Sequence, residues 1–504
     1  MAVEPAPPRR MKETLVRSQC GLDTVLVGQK TLHSRYNPLA EAERYLDSLK
    51  LDTGIRYIIL AECGLCYLIE PLRRKFPAAK IISLHIRKFY KYKSAAPPDV
   101  EWLPDSSVNR GAFLENEIDD TEAGRIKIIE WRPSADVYGE EYLNLVKDIA
   151  VVVKRADANK RTRTAFGRRW LKNVIKNSLL FNNDFNITLP ARNAAGCVVA
   201  GAGPGLEDAY DSIRYLKESG APLIAVSSAA GALLEAGICP DIIAACDGGN
   251  WARLHLAESV KYFLKTPPGT PLPTLAFSLN AAVPLQCAAF NLLPLGDNSL
   301  FQNLVQKCFN IPPVSFPQRG TVGASAIDLA FYISGGAVYT AGIQFSHEDI
   351  RTHAKPYAFD KILSDSENRL RPFYSLQFER SCKITASGVN RIYSDWFGEQ
   401  NYQQKLFSAA ENNFVFNTGK TNACSFDYVK KNSVNRPVTR LITVLTSALQ
   451  TDETKEQLAA ELSSLLLKDG EMSFVGSLTE ELLRISEKYR AAESWNGAYD
   501  EGAE

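Results

Sequence analysis

The residues best suited to chemistry lie in short loops that follow apolar runs. Gly201-Ala202-Gly203-Pro204-Gly205 comes directly after the run 197–200 and opens a segment with Tyr210, Ile213 and Leu216 at helical spacing. Glycine lets backbone approach a ligand closely, and the first amides of a helix attract an anion such as phosphate. The loop is not the dinucleotide fingerprint, because Pro204 has no amide hydrogen and Leu206 stands where the third glycine would be. A tight strand-to-helix turn without a ligand is the alternative reading. Two further strand ends resemble it: 224–226 leads into Ser227 and Ser228, and 242–246 leads into Asp247-Gly248-Gly249. Ligands collect outside the carboxyl ends of strands in open parallel sheets, so the three turns are expected to face one crevice. Serine hydroxyls and one carboxylate suit a ribose or a base, although Ser and Asp also cap helices well.

A fourth constellation runs from Arg319 to Ala354. Gly320-Thr321-Val322-Gly323-Ala324-Ser325 is a small-residue turn leading into a helix, which makes a second anion site. His347 and His353 follow the strand that ends near Gly342. A histidine there can take a hydroxyl proton near neutrality, since its unperturbed pKa is about 6.5, and a surface-loop histidine without a role is the alternative reading for both. The chain has 5 histidines and no H-E-x-x-H or comparable set, so no dedicated metal centre is expected. Cys63 and Cys66 form a C-x-x-C with no second pair to complete a zinc site and are read as structural.

These loops need a framework. The chain has 504 residues, 45% hydrophobic and 23% charged, with 58 Lys+Arg against 57 Asp+Glu. That length suggests two to four domains at roughly 100–200 residues each. Near-neutral charge gives no global pull toward nucleic acid or an anionic membrane. No stretch approaches the ~18 apolar residues that span a bilayer, and the first residues lack a secretory apolar core, so a cytoplasmic location is expected. The ten cysteines are scattered, and Cys197, Cys246 and Cys287 sit in apolar runs, which argues against a disulfide framework.

Residues 1–50 read as a tail and a small strand or hairpin element. From Arg56 the pattern is an apolar run, a Gly turn, a helical stretch with Leu65, Leu68, Ile69 and Leu72, and another apolar run, which is a βαβ unit. With Ile126–Glu130 and a helical segment 140–153, a Rossmann-like α/β domain is expected over 51–150. Residues 151–195 form a connector whose stretch 151–177 carries nine basic residues against Asp157, read as a helix with a solvated basic face, with a contact surface for phosphate or an acidic partner as the alternative. Strands alternating with helices over 196–360 predict a doubly wound parallel sheet. Residues 361–504 are expected to be mainly helical, with Leu458, Leu462, Leu465 and Leu466 on one apolar face of a bundle over 440–490.

The stretches GAGPGLEDAYDSIRYL, LIAVSSAAGALLEAGICPDIIAACD and GTVGASAIDLAFYISGGAVYTAGIQFS resemble the central domain of Maf-type (motility-associated factor) glycosyltransferases. That domain is shared with archaeal 6-hydroxymethylpterin diphosphokinases. The likeness covers about residues 165–360, while ECGLCYLIEPL is similar to the family's N-terminal domain. The resemblance implies a sialyltransferase-like α/β fold. It also implies transfer of a nonulosonic, sialic-acid-like sugar from a CMP-activated nucleotide-sugar donor to Ser or Thr of flagellin, with no cofactor required.

Carried over by position, the resemblance implies that Gly201, Gly203, Pro204 and Gly205 line the phosphate and that Ser228 and Asp247 lie near the nucleoside. Gly323 and Ser325 belong to the second loop, and His353 is the candidate base. Arg319 is a candidate for stabilising the leaving group. Gln344 stands where the family commonly has an acid; it can hold a sugar hydroxyl but cannot take its proton. The alternative enzyme, a pterin diphosphokinase using ATP, needs magnesium and paired carboxylates, whereas Ala245-Cys246-Asp247 supplies one acid. A family member that binds flagellin or sugar nucleotide without turnover is the non-enzymatic alternative.

Overall fold

The structure is a computed structural model that describes residues 13–87, 96–182, 184–192, 194–316, 320–343, 350–387, 406–409, 426–451, 454–466 and 475–494. It comprises two compact units divided between Ala165 and Phe166. The first begins with an antiparallel sheet of β1 (Glu13–Arg17), β2 (Asp23–Val27) and β3 (Lys30–Thr31). Helix Pro38–Ser48 follows, its start fixed by Pro38 and by Asn37, whose side-chain oxygen accepts the Ala40 amide. Among the described residues of 1–50 the expected small element is thus three strands and a helix.

The Rossmann-like part of this unit is a parallel sheet of β4 (Tyr57–Ala61), β5 (Lys80–Leu84), β6 (Val100–Trp102) and β7 (Ile126–Glu130), in the order β6-β5-β4-β7. The expected helix after β4 begins later, at Ile69. Leu65 and Leu68 are buried in a loop instead, because Glu62, Gly64 and Cys66 all take left-handed backbone that interrupts a helix. The Cys63 and Cys66 thiols are buried and burial raises both pKa values, Cys66 to about 12, so both stay protonated. The helical segment 140–153 and the basic stretch 151–177 of the connector form one 38-residue helix, Glu140–Asn177, which starts in the first unit and ends in the second.

The second unit is built on a nine-stranded sheet. Its strands are β8 (Asp184–Pro190), β9 (Ala194–Ala200), β10 (Leu223–Val226), β11 (Ile242–Ala245), β12 (Thr274–Ser278), β13 (Asn291–Leu295), β14 (Ser334–Ala341), β15 (Leu406–Ser408) and β16 (Phe426–Ser433). The order is β15-β14-β9-β10-β11-β12-β13-β8-β16, all neighbours parallel except β16, which runs antiparallel to β8. β10 and β11 are buried at every residue, the continuous apolar pattern of strands covered on both faces. Along β11, Ile242 and Ala244 enter one core while Ile243 and Ala245 enter another, which are the two sides of the pleat.

The α/β prediction holds, with wider limits. β8 precedes residue 196, and β15 and β16 come from the C-terminal region expected to be mainly helical. That region also supplies helices Pro437–Thr451, Lys455–Leu466 and Val475–Arg490. Their apolar residues share one core with β12 and β13, including buried Leu458 and Leu462 with Leu465 and Leu466 packed against it. Among the described residues no helix is long and apolar enough to cross a membrane.

Candidate functional site

Sheet order fixes where a ligand would sit. The chain steps from β9 through β10, β11 and β12 in one direction, while β14 pairs on the other side of β9. The order reverses between β9 and β14, so their carboxyl ends flank the crevice that such sheets offer to ligands. The loops after β9, β10 and β11 end adjacent parallel strands and lie along one rim.

The glycine loop has a structural explanation of its own. The Gly201 amide donates to the Ala341 carbonyl at 2.7 Å and the Gly203 amide to the Gly342 carbonyl at 2.7 Å. A Cβ on Gly201 would press onto the Gly342 carbonyl oxygen, and Gly342 has φ +62°. Pro204–Ala209 is a short 3-10 turn, and the α-helix begins only at Tyr210. The first amides after the loop therefore belong to a 3-10 turn and not to the α-helix expected directly at Gly205. Gly203 and Gly201 spend their donors on the β14 end, and Pro204 has none.

Ser227 and Ser228 open helix Ser227–Glu235 directly after β10, with Ser227 buried and Ser228 half-buried. Asp247 is exposed at the end of β11, where its carboxylate accepts the Gly249 amide at 2.7 Å. Gly248 is constrained by packing, since a Cβ there would lie 2.6 Å from the Trp170 ring. Thr321 caps helix Val322–Ile333 by accepting the Ala324 amide at 3.0 Å. A Cβ on Gly323 would lie 3.9 Å from Ile343 beyond β14, and Ser325 bonds the Cys246 thiol beyond β11. The second small-residue loop thus meets the same rim. Arg319, Gln344 and His347 lie outside the described residues.

His353 is tied to this rim through its neighbours. The Ala354 amide donates to the Ala202 carbonyl at 2.8 Å, and the Lys355 amide to Glu207 Oε1 at 3.0 Å. Arg351 pairs with the other Glu207 oxygen at 3.3 Å. The glycine-loop segment therefore carries a carboxylate that docks the histidine segment. The His353 ring stacks on Tyr357 at 4.0 Å between centroids, and its Nδ1 is 2.8 Å from Thr352 Oγ1 and 3.5 Å from Arg380 Nη2. Tyr357 also meets the ring of His255, which burial and the Arg380 charge lower to a pKa of about 4. Burial raises the Tyr357 hydroxyl, with Arg380 opposing and Asp360 and then Asp247 adding to the rise.

Sequence reasoning missed several of these groups. Tyr357, Arg380 and Asp360 carry no motif, and Arg380 sits on helix Phe373–Ser387, inside a region read only as helical. It also missed the brace beneath the rim. Asn173 Nδ2 donates to the carbonyls of Gly248 at 3.0 Å and Asn280 at 2.9 Å, and Asn177 Nδ2 to those of Leu279 at 3.0 Å and Ala281 at 2.8 Å. The last turns of helix Glu140–Asn177 thereby hold the loops after β11 and β12. Asparagines one turn apart in FGRRWLKNVIKN were the available signal.

Fold and rim together define a doubly wound α/β protein with a ligand crevice at a strand-order reversal. Within it, residues 168–349 match the family model described as 6-hydroxymethylpterin diphosphokinase MptE-like. That match agrees with the Maf-type resemblance, since the two families share this domain. The chain is 28% identical over 293 residues to an uncharacterized protein of Treponema pallidum (strain Nichols). The alignment covers 54% of this chain and 62% of that protein, so the chain spans less than two thirds of its relative's length. Among solved structures it aligns with the MAf glycosyltransferase from Magnetospirillum magneticum AMB-1 at 13% identity and TM-score 0.43, covering 96% of this chain and 87% of that one.

Proposed function

We propose that the protein is a glycosyltransferase that moves a nonulosonic sugar from a CMP-activated donor to Ser or Thr of flagellin. The observation that carries this reading is the convergence on one rim of the Ser228, Asp247 and Ser325 loops with the His353 segment, which Ala354 and Glu207 fasten to the loop after β9. The acceptor hydroxyl attacks the anomeric carbon and forms the new C–O bond. The C–O bond to phosphate breaks, CMP leaves with the electron pair, and the hydroxyl proton passes to His353. Asp247 and Ser228 hold the nucleoside, and cationic side chains stabilise the leaving phosphate. Intact-mass analysis of flagellin from cells with and without the protein tests the reading. Sugar-sized increments lost on deletion are expected, and an unchanged mass contradicts it.

The MptE-like match favours a second reading, transfer of pyrophosphate from ATP to a pterin alcohol. That reaction uses magnesium held by paired carboxylates, and the β11 end offers Asp247 beside Cys246. Strict dependence of turnover on magnesium would select the kinase, and turnover in EDTA the sugar transferase.

A further inference from the structure

Resting on the CMP-donor reading, we propose that the pocket beside His353 is the phosphate subsite and that Arg380 and Lys355, rather than the glycine loop, hold the donor's phosphate. Two of the four amides of Gly201–Gly205 are already engaged, Gly201 with Ala341 at the end of β14 and Gly203 with Gly342 just beyond it; Pro204 has no amide hydrogen, and the following Leu206 amide turns back to the Gly203 carbonyl at 3.0 Å. The pocket next to it is lined by Thr352, His353, Lys355, Tyr357, Gln377 and Arg380, with Asp360 at its wall. Two cations against one carboxylate leave it net positive, and Thr352 and Gln377 add neutral donors.

The state of Arg380 suits an incoming anion. Its side chain is 20% exposed, and it sits 3.6 Å from Asp360 Oδ1 and 3.5 Å from His353 Nδ1. Both contacts are long for a guanidinium, which prefers close, paired bonds to a carboxylate or phosphate. Tyr357 orients it, with the ring centroid 4.6 Å from Cζ and the hydroxyl bonded to the guanidinium. Lys355 is ion-paired with Asp360, and its side chain is 35% exposed. A phosphate entering here gains the planar fork of Arg380 and a share of Lys355, while Asp360 keeps both cations in place before it arrives. Arg380 lies beyond the residues that match the MptE-like model.

Calorimetric titration of the full chain in EDTA with CMP, cytidine and inorganic phosphate tests the subsite. Wild-type protein is expected to prefer CMP over cytidine by about tenfold or more, the scale of a charge-assisted contact. Arg380→Ala should erase that preference while leaving cytidine affinity unchanged, Lys355→Ala should reduce it, and Arg380→Lys should keep part of it. Should Arg380→Ala fail to fold, the Lys355→Ala and Arg380→Lys titrations decide alone. Variants that retain the full preference overturn the subsite and leave the donor reading standing. Arg380-dependent binding of inorganic phosphate without any CMP or cytidine binding supports the subsite and removes the donor reading. Absence of binding by every phosphate compound overturns the subsite.

Discussion

His353 can act as a base only through the ring nitrogen that carries no proton, and its contact with Thr352 decides which one that is. If Nδ1 donates to Thr352 Oγ1, 2.8 Å away, Nε2 has the lone pair; Arg380, 3.5 Å from Nδ1, favours the opposite tautomer. His353→Ala is therefore expected to slow sugar transfer by about 10²–10⁴-fold while CMP still binds. Thr352→Val should slow it in the same direction, because Nδ1 then faces Arg380 without the hydroxyl; single-turnover assays with parallel CMP titrations check both. Gly201→Ala is a stability prediction. The added methyl meets the Gly342 carbonyl, and a loss of about 1–3 kcal/mol in chemical denaturation is expected. At this scale the sequence was legible where a loop ends a buried strand, as at Gly201, Ser228 and Asp247. It was not legible for Arg380 or Tyr357, whose roles arise from contacts made across distant segments.

Helix Glu140–Asn177 illustrates what periodicity conveys and what it leaves out. Ion pairs tie its basic stretch to partners near and far: Arg161 pairs with Asp157 one turn back on the same helix, while Arg155 pairs with Glu115 and Arg168 with Glu481, carboxylates the sequence does not place beside them. Its final turns brace the rim through Asn173 and Asn177. Replacing buried Asn177 with Ala strands the Leu279 and Ala281 carbonyls, so a loss of about 1–3 kcal/mol is expected. Urea denaturation measures that loss, and the same variant should weaken CMP binding by loosening the loops after β11 and β12. Strands β9 to β13 were readable because buried parallel strands are unbroken apolar runs bounded by turns. β15, with 3 residues, and β16, which pairs with β8 far along the chain, offer no such local signal. The late start of helix Ile69–Lys75 was hidden because buried leucines in a loop mimic helical spacing.

Both units bury neutral histidines, and this sets how the whole molecule responds to acid. Burial lowers His33 and His85 to a pKa of about 3, and burial with the Arg380 charge lowers His255 to about 4. The unfolded chain takes up these protons near pH 6.5, so it binds more protons than the native state below that pH. Stability is therefore expected to be complete above pH 6.5 and to fall as pH drops toward 3–4, each histidine adding a slope of up to about 1.4 kcal/mol per pH unit. Melting temperatures between pH 7 and 4 check this, and His255→Phe should flatten the dependence by removing one proton uptake. The functional reading depends on one geometric statement, that nucleotide occupies the rim where β9, β10 and β11 end. A crystal structure of the protein with CMP in EDTA tests it most directly. The account predicts phosphate against Arg380 and Lys355 with the nucleoside beside Asp247, and CMP bound away from that rim would contradict it.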